Sequence, residues 1–359
     1  MEKPQNAAAR RRLGISAFPT LYVVDPSDTS VAVRWLGSAS IAQLEKLFDA
    51  GTLAVNGGAR GPALEALVAA DRAYGAQDYP RACDGYRRVL ALADPSWPGW
   101  SRAVESALFA FSQAESSEAT LALADRVWPR LRGTASAAAV AGGALDAALS
   151  LDDKHPARAT ALARWEPVCD SIVVDATLPL VGDDRSGLYF SLESVREAAG
   201  DTTGMRALQE RHVAMLEREA ARATRADARA VYDAHRLTLY LALGRPEAAV
   251  PMLQASQRDL PDDYNPSQRL ATAYKAMKRW PDALAASDRA LAKAYGPRQF
   301  LVLNTRADIQ LGMADTTAAV ATLRDAFTRA QRMPEGQRSQ GTIAGLRKRL
   351  AGLGVTLPE

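Results

Sequence analysis

Cysteine and histidine are scarce in this sequence of 359 residues, which contains two cysteines and three histidines. Cys83 and Cys169 lie far apart and form no C-x-x-C pair, so neither a disulfide framework nor a zinc site is expected. His155, His212 and His235 are equally scattered and lack the spacing of metal ligands. The sequence therefore predicts no bound metal and no cofactor.

An excess of charge of one sign is also absent, since 44 lysines and arginines face 41 aspartates and glutamates. No basic stripe with interleaved aromatic residues occurs, so a nucleic acid is not an expected partner. The phosphate-binding loop and the G-x-S-x-G nucleophile elbow are missing as well.

Long hydrophobic runs are lacking too. The first residues, MEKPQNAAARRRLG, contain no apolar stretch typical of a secretory signal, so the default expectation is a cytoplasmic protein. The longest run of small apolar residues spans 133–151, but it consists mainly of alanine and glycine and is interrupted by Asp146. It is too weakly hydrophobic to span a bilayer and predicts a closely packed helix, so no membrane partner is expected.

Alanine, leucine and arginine are abundant, which favours helices. The first fifty residues break this pattern. Residues 21–24 (LYVV) and 31–36 (VAVRWL) predict two strands joined by a turn at residues 25–28 (DPSD). Helical sequence precedes them up to Gly14 and follows them at residues 41–51.

The order helix, Pro-Thr, strand, turn, strand, glycine, helix over residues 1–50 resembles the C-terminal half of the thioredoxin fold, on the motifs GISAFPTLYVVD and RWLG. This resemblance implies that Pro19 is a cis-proline and that Phe18 and Thr20 face a substrate. The C-x-x-C pair of that family belongs to the other half of its fold and is not in this sequence. The chain as given is therefore not expected to catalyse thiol–disulfide exchange.

In the resembled fold a missing strand pairs with the strand that begins near Thr20, so its absence leaves an open sheet edge. Four arrangements remain open for this segment. It leans on the helical region, binds a strand from elsewhere, is loosely ordered, or continues a chain that begins further upstream, and we favour the last. The open edge also allows a homodimer.

Residues 51–62 (GTLAVNGGARGP) are rich in glycine and predict a linker. Beyond them a helical pattern recurs every 34 residues, as in the pairs Tyr240 and Tyr274, and Ala249 and Ala283. This period, with an aromatic residue in one helix and a small residue opening the next, resembles the tetratricopeptide repeat (TPR).

Further copies of the repeat are recognisable. Residues 63–93 form a third copy, and residues 300–330 form a fourth if two residues are inserted after Gly312. Residues 100–131 and 186–219 look like degenerate copies, the latter with a turn at Gly200 and Asp201. The inward positions predicted for the third and fourth copies are Ala82, Tyr86, Val89, Ala319, Leu323 and Ala326.

Residues 152–185 lack the pattern and predict an irregular loop, in spite of the strand-like run at 172–174. The expected fold is therefore mainly α: a TPR-like α-solenoid of antiparallel helix pairs over residues 63–335. A capping helix and tail at 336–359 close it, and the small α/β half-thioredoxin segment at 1–50 precedes it.

Together the two parts look like a bacterial family of thioredoxin-like proteins with a TPR tail. The favoured function is protein interaction, with a protein or peptide held in the concave groove lined by the first helix of each pair. The alternative is a thioredoxin-like thiol–disulfide oxidoreductase whose C-x-x-C half lies upstream. The candidate groove residues, which a merely solvated face would also present, are His235, Thr238, Asn265, Gln268, Arg269, Thr272 and Lys275.

Overall fold

The structure is a computed structural model that describes residues 13, 19–29, 31–37, 39, 41–56, 61–114 and 117–356. The predicted first helix and Phe18 lie outside the described residues. The described chain is mainly helical with one small sheet, which confirms the mainly α fold built from helix pairs. It forms two compact units, Leu13–Leu208 and the residues from Gln209 onward.

Two short strands form an antiparallel hairpin, β1 (Thr20–Val24) and β2 (Val31–Leu36), as the β-branched and aromatic runs predict. The turn between them is held by Asp25, whose Oδ1 accepts a hydrogen bond from the backbone N–H of Ser27 at 2.8 Å. The residues of β1 are mostly half-buried, and Leu21 is exposed.

Helix α1 (Ile41–Val55) packs on this hairpin through a small core that includes Val33, Trp35 and Leu47. Its close approach requires Gly51, because a Cβ there would lie 2.6 Å from Cγ1 of Val23. The helix continues four residues beyond Gly51, so the predicted linker boundary at residue 51 is wrong. Gly51 lies inside the helix, where it allows the close contact with Val23, and does not act as a C-terminal cap.

The first unit continues with helices that each contact the next along the chain from α2 to α8. These helices are α2 (Pro62–Gly75), α3 (Tyr79–Leu92), α4 (Trp100–Gln113), α5 (Ser117–Leu131), α6 (Ala137–Ser150), α7 (Pro156–Val174), α8 (Gly182–Ala198) and α9 (Thr202–Arg222), whose residues from Gln209 onward belong to the second unit. Helix α6 also contacts α4 and α8, the pattern of stacked helix pairs.

The second unit repeats this arrangement, with each helix from α11 onward contacting the next. Short 3₁₀ turns lie at Pro246–Ala248 and Glu335–Gln337. Its helices are α10 (Ala226–Ala230), α11 (Asp233–Ala242), α12 (Ala249–Asp259), α13 (Asn265–Ala276), α14 (Trp280–Lys293), α15 (Arg298–Gly312), α16 (Thr316–Gln331) and α17 (Gln340–Gly352). No helix in the described part of the chain is long and apolar enough to cross a membrane.

Five of the described helix hairpins share one turn. The residue two positions beyond the first helix has a positive φ, and the next N–H donates to the carbonyl five residues back, which is the Schellman motif. Gly244 and Lys278 are 34 residues apart and Ala314 follows after 36, as the insertion after Gly312 predicts. The positive-φ residues are Gln77, Gly200, Gly244, Lys278 and Ala314.

The predicted inward positions of the repeats are confirmed, because every one of them is fully buried. Small residues at these positions let the paired helices approach closely. Gly85 on α3 serves the same purpose, since a Cβ there would lie 2.7 Å from Cβ of Ala70 on α2. The buried set comprises Ala82, Tyr86, Val89, Ala249, Ala283, Ala319, Leu323 and Ala326.

The loop predicted over residues 152–185 is wrong, because most of that stretch is helix α7. Although the run at 172–174 is strand-like, Trp165, Cys169, Ile172 and Val173 fall on one face at helical spacing and are all buried. Burial of this face outweighs the modest helix propensity of isoleucine and valine.

Candidate functional site

Two of the three residues predicted near the N-terminus, Pro19 and Thr20, lie within the described chain. Pro19 is exposed in a bend, and its carbonyl accepts a hydrogen bond from the N–H of Gly37 at 2.9 Å, while Thr20 begins β1 half-buried. Cys83 and Cys169 are both buried, and burial raises the pKa of each thiol. Neither cysteine is therefore a ready thiolate nucleophile.

A buried network fastens the hairpin to the helices. Arg34 on β2 lies 3.5 Å from Oδ1 of Asp71 on α2 and donates to the hydroxyl of Tyr86 on α3 at 2.6 Å. Arg102 on α4 donates both terminal nitrogens to Oδ2 of Asp71, at 3.0 and 2.8 Å, and also bonds the carbonyl of Arg34. The hairpin is therefore held against helices of its own chain.

A groove runs across the first helices of three successive pairs, α4, α6 and α8, and encloses about 450 Å³. The hairpin closes one end of it, through Pro19, Trp35 and Gly37. Four carboxylates line the groove, and we call it the acidic groove: Glu105, Asp146, Asp183 and Asp184.

Small residues create the space in the acidic groove. Gly142 lies at a tight packing contact, because a Cβ there would lie 3.3 Å from Cδ1 of Leu188. Gly143 and Gly187 are different, since a Cβ at Gly143 would meet nothing closer than 4.0 Å and one at Gly187 would meet nothing within 4 Å. A glycine inside a helix costs about 1 kcal/mol relative to alanine, so these two glycines lower helix stability with no packing reason.

Burial disfavours the ionised form of three of the groove carboxylates. Burial, reinforced by the neighbouring charges of Glu105 and Asp183, raises the pKa of Asp184 to about 7. Burial also raises the pKa of Glu105 and Asp146, although hydrogen bonds from Ser136 and Ser191 respectively oppose these shifts.

The guanidinium that lines the groove is already engaged. Arg102 is the cation among the described lining residues, and both its terminal nitrogens donate to Oδ2 of Asp71 behind the wall. Arg185, next to Asp184 in sequence, donates instead to the carbonyls of Ile172 and Val173. Asp146 and Asp184 therefore form no ion pair with a lysine or arginine within the described chain.

A second cavity of about 1040 Å³ adjoins the acidic groove, and we call it the apolar cavity. It lies between the hairpin with α1 and helices α2 to α4, and Leu53, Leu64, Leu92 and Trp97 are among its lining residues. The two spaces share Trp35, Gln43, Arg102, Glu105 and Ala135.

The groove residues predicted from sequence lie in the second unit, on α11 and α13. Gln268 is buried and donates from Nε2 to Oγ1 of Thr305 on α15 at 2.7 Å. Lys275 lies 3.0 Å from Oδ2 of Asp308, whose other oxygen is held by Arg349 of α17. These side chains thus bridge neighbouring first helices.

Three of the other predicted residues form hydrogen bonds with residues close to them in sequence. Thr272 donates to the carbonyl of Gln268 at 3.2 Å, and the exposed Thr238 donates to the carbonyl of Ala234. Burial lowers the pKa of Arg269, while the nearby Asp233 and Asp263 oppose that shift. Asn265 donates from Nδ2 to Oδ1 of Asp263 at 2.8 Å, and His235 is half-buried.

The sequence interpretation missed the acidic groove. Its one visible signal is the pair Gly142 and Gly143 within residues 133–151, shortly before Asp146, which indicated only close packing. No group of three or more His, Cys, Asp or Glu residues in the described ranges is arranged to hold a metal ion.

No known protein-family model matches this chain, and no curated protein matches it. Among solved structures it is similar to the complex of the TPR2AB domain of yeast Sti1 with pHSP90, at 13% identity and a TM-score of 0.29. That similarity covers 80% of this chain and 98% of the other. At this level of similarity nothing follows about what this chain binds.

Proposed function

We propose that this chain is a protein-interaction module that holds an extended peptide in the acidic groove. The observation that supports this most directly is the pair of helix glycines, Gly143 and Gly187, that open the groove without any packing need. Sequences that lower helix stability without a packing gain are expected at functional sites.

The dimensions suit a peptide segment. Packed helices lie about 8–10 Å apart, so a groove across α4, α6 and α8 spans about 20 Å from the first axis to the last. An extended chain advances about 3.3 Å per residue. The groove therefore accommodates about six residues, enough for a short linear motif.

The decisive experiment fills the groove without disturbing the core. In Gly143→Tyr the new side chain has room at its Cβ and enters the groove, whereas Gly143→Ala adds only a methyl group. Random peptides displayed on phage are selected on the immobilised full chain. We expect Gly143→Tyr to abolish enrichment and Gly143→Ala to preserve it, with helical content by circular dichroism unchanged in both.

The predicted groove of the second unit is a second candidate, because Oε1 of Gln268 is buried and has no partner in the described chain. Thr305 donates its hydroxyl proton to the carbonyl of Leu301, so it can only accept from Gln268, and this assigns the amide orientation. The orphaned acceptor suits the backbone N–H of a peptide.

This second candidate is tested on the Gly143→Tyr chain, in which the acidic groove is filled. Peptides that still bind that chain should lose at least fivefold in affinity when Gln268→Met is added. Unchanged affinity would reject the second candidate and leave the first unaffected.

The thioredoxin-like interpretation of residues 1–50, the array at 63–335 and the cap at 336–359 remain our proposals, as does redox inactivity of the chain as given. The raised pKa of both cysteine thiols supports inactivity, and insulin reduction by dithiothreitol should show no acceleration. The homodimer through the hairpin edge is tested by light scattering of the full chain, where a monomeric mass would reject it.

A further inference from the structure

The acidic groove and the apolar cavity are neighbouring spaces with different chemistries. They share Trp35, Arg102 and Glu105 among their lining residues, so the two spaces lie a side chain apart. Ligand sites of this kind combine apolar walls with a few placed polar groups, and their volumes fall at about 300–1000 Å³.

The charge of the groove selects the sign of its occupant. Four carboxylates and one guanidinium line it, and both terminal nitrogens of that guanidinium already donate to Oδ2 of Asp71. A carboxylate in a partly buried site is stabilised by an ammonium or guanidinium brought close to it. An anionic or neutral occupant would leave Asp146 and Asp184 without such a cation.

The apolar cavity favours an occupant that carries an apolar group next to its positively charged group. Its lining residues include large hydrophobic side chains, and Leu53 and Leu92 are partly exposed there to solvent. Removing such surface from water contributes roughly 25 cal/mol per Å². Successive side chains of an extended segment point to opposite sides, so adjacent residues can enter the two spaces.

We infer that the chain recognises a short motif in which a lysine or arginine enters the acidic groove and a neighbouring large hydrophobic residue enters the apolar cavity. This inference rests on the proposed function and adds the chemistry of the partner. The positive residue is held by Asp146 and Asp184, which lie on different helices, α6 and α8.

The test uses the same displayed library, with prior depletion on the Gly143→Tyr chain. Enriched peptides should contain a basic residue next to Leu, Ile, Met or Phe. For the best synthetic peptide, isothermal titration calorimetry on the double variant Asp146→Asn, Asp184→Asn should show at least tenfold weaker binding. Asp84→Asn, an exposed carboxylate on α3, is the matched control and should change the affinity less than twofold.

The apolar residue of the motif is tested by a matched pair of variants on α1. Leu53 lines the cavity and Phe48 does not, and both are well exposed, so neither substitution empties the core. Leu53→Ser should weaken the peptide at least fivefold, and Phe48→Ser should leave its affinity unchanged.

The possible outcomes separate the two claims. Peptides that are enriched over the Gly143→Tyr chain but lack basic residues, or that bind the double Asn variant equally well, overturn this inference and keep the proposed function. No enrichment over the Gly143→Tyr chain overturns the proposed function itself. Because the Asn substitutions remove charges that burial disfavours, loss of binding cannot be attributed to unfolding if the melting temperature is unchanged or higher.

Discussion

Charged side chains on the first helices of the pairs have different surroundings in the two units. In the second unit, Lys275 and Arg349 both hold Asp308, so opposite charges on neighbouring helices meet. In the first unit, Asp184 faces the like charges of Glu105 and Asp183, and glycines stand where bridging side chains would fit. In the second unit these charged side chains bind one another, whereas in the acidic groove Asp146 and Asp184 form no ion pair with a lysine or arginine of the described chain.

The largest effect is expected where the wall of the acidic groove is fastened. In Asp71→Asn the buried Arg34 and Arg102 lose their shared carboxylate, and breaking a buried ion pair in this way costs about 3–5 kcal/mol. Urea unfolding of the full chain measures the loss. Hydrogen exchange should accelerate in residues 31–36, and protection equal to that of the unsubstituted chain would show that the network does not hold the hairpin.

The next effect is a gain in stability, and it tests whether burial disfavours the charge of Asp184 in the groove. Asp184→Asn should stabilise the chain at pH 8, because the native state then no longer buries a disfavoured charge. Each unit by which a pKa is raised corresponds to about 1.4 kcal/mol, and solvent screening reduces this gain, so we expect about 1–2 kcal/mol.

The pH dependence of that gain follows from the raised pKa. Protonated Asp184 stabilises the native state below the ordinary aspartate pKa, and this contribution is lost as the pH rises to about 7. The advantage of Asp184→Asn should therefore vanish near pH 4 and be complete above pH 7. Thermal unfolding at several pH values checks this, with Asp84→Asn as the control that gains nothing.

Removal of a carboxylate from the second unit should act in the reverse direction. Asp308→Asn leaves Lys275 and Arg349 without their shared partner. Because this site is partly exposed, we expect a loss of only about 0.5–1 kcal/mol. A gain in stability here, as in Asp184→Asn, would remove the contrast between the two units.

The smallest effect concerns the glycines. Gly187→Ala should stabilise the first unit by about 0.5–1 kcal/mol, since it improves helix propensity and meets no neighbour. Gly85→Ala is the matched control and should destabilise it, because its Cβ would lie 2.7 Å from Cβ of Ala70. Melting temperatures of both variants decide whether Gly187 has a packing role after all.

Much of the architecture could be predicted because it depends on local patterns. The 34-residue period placed Ala249 and Ala283 at helix contacts, and the turn at Gly200 and Asp201 identified a degenerate repeat. Helix α7 escaped prediction because residues 152–185 lack the repeat pattern, and its apolar face is explained only by burial in the folded chain.

The candidate site was harder to predict because its parts are distant in sequence. Arg34, Asp71 and Arg102 come from a strand and two helices, and no local pattern marks them as partners. The predicted groove residue Lys275 looked available for a ligand, but its salt-bridge partner Asp308 lies 33 residues along the chain.

The sequence by itself determined the helix pairs, their turns and the residues that they bury, since backbone propensity and hydrophobic period act within one or two repeats. Only the tertiary structure decided which polar residues are compensated, because charge compensation depends on distances between helices that the sequence order does not encode. The same is true of Gly143 and Gly187: whether a glycine serves packing or leaves open space depends on what its missing Cβ would meet.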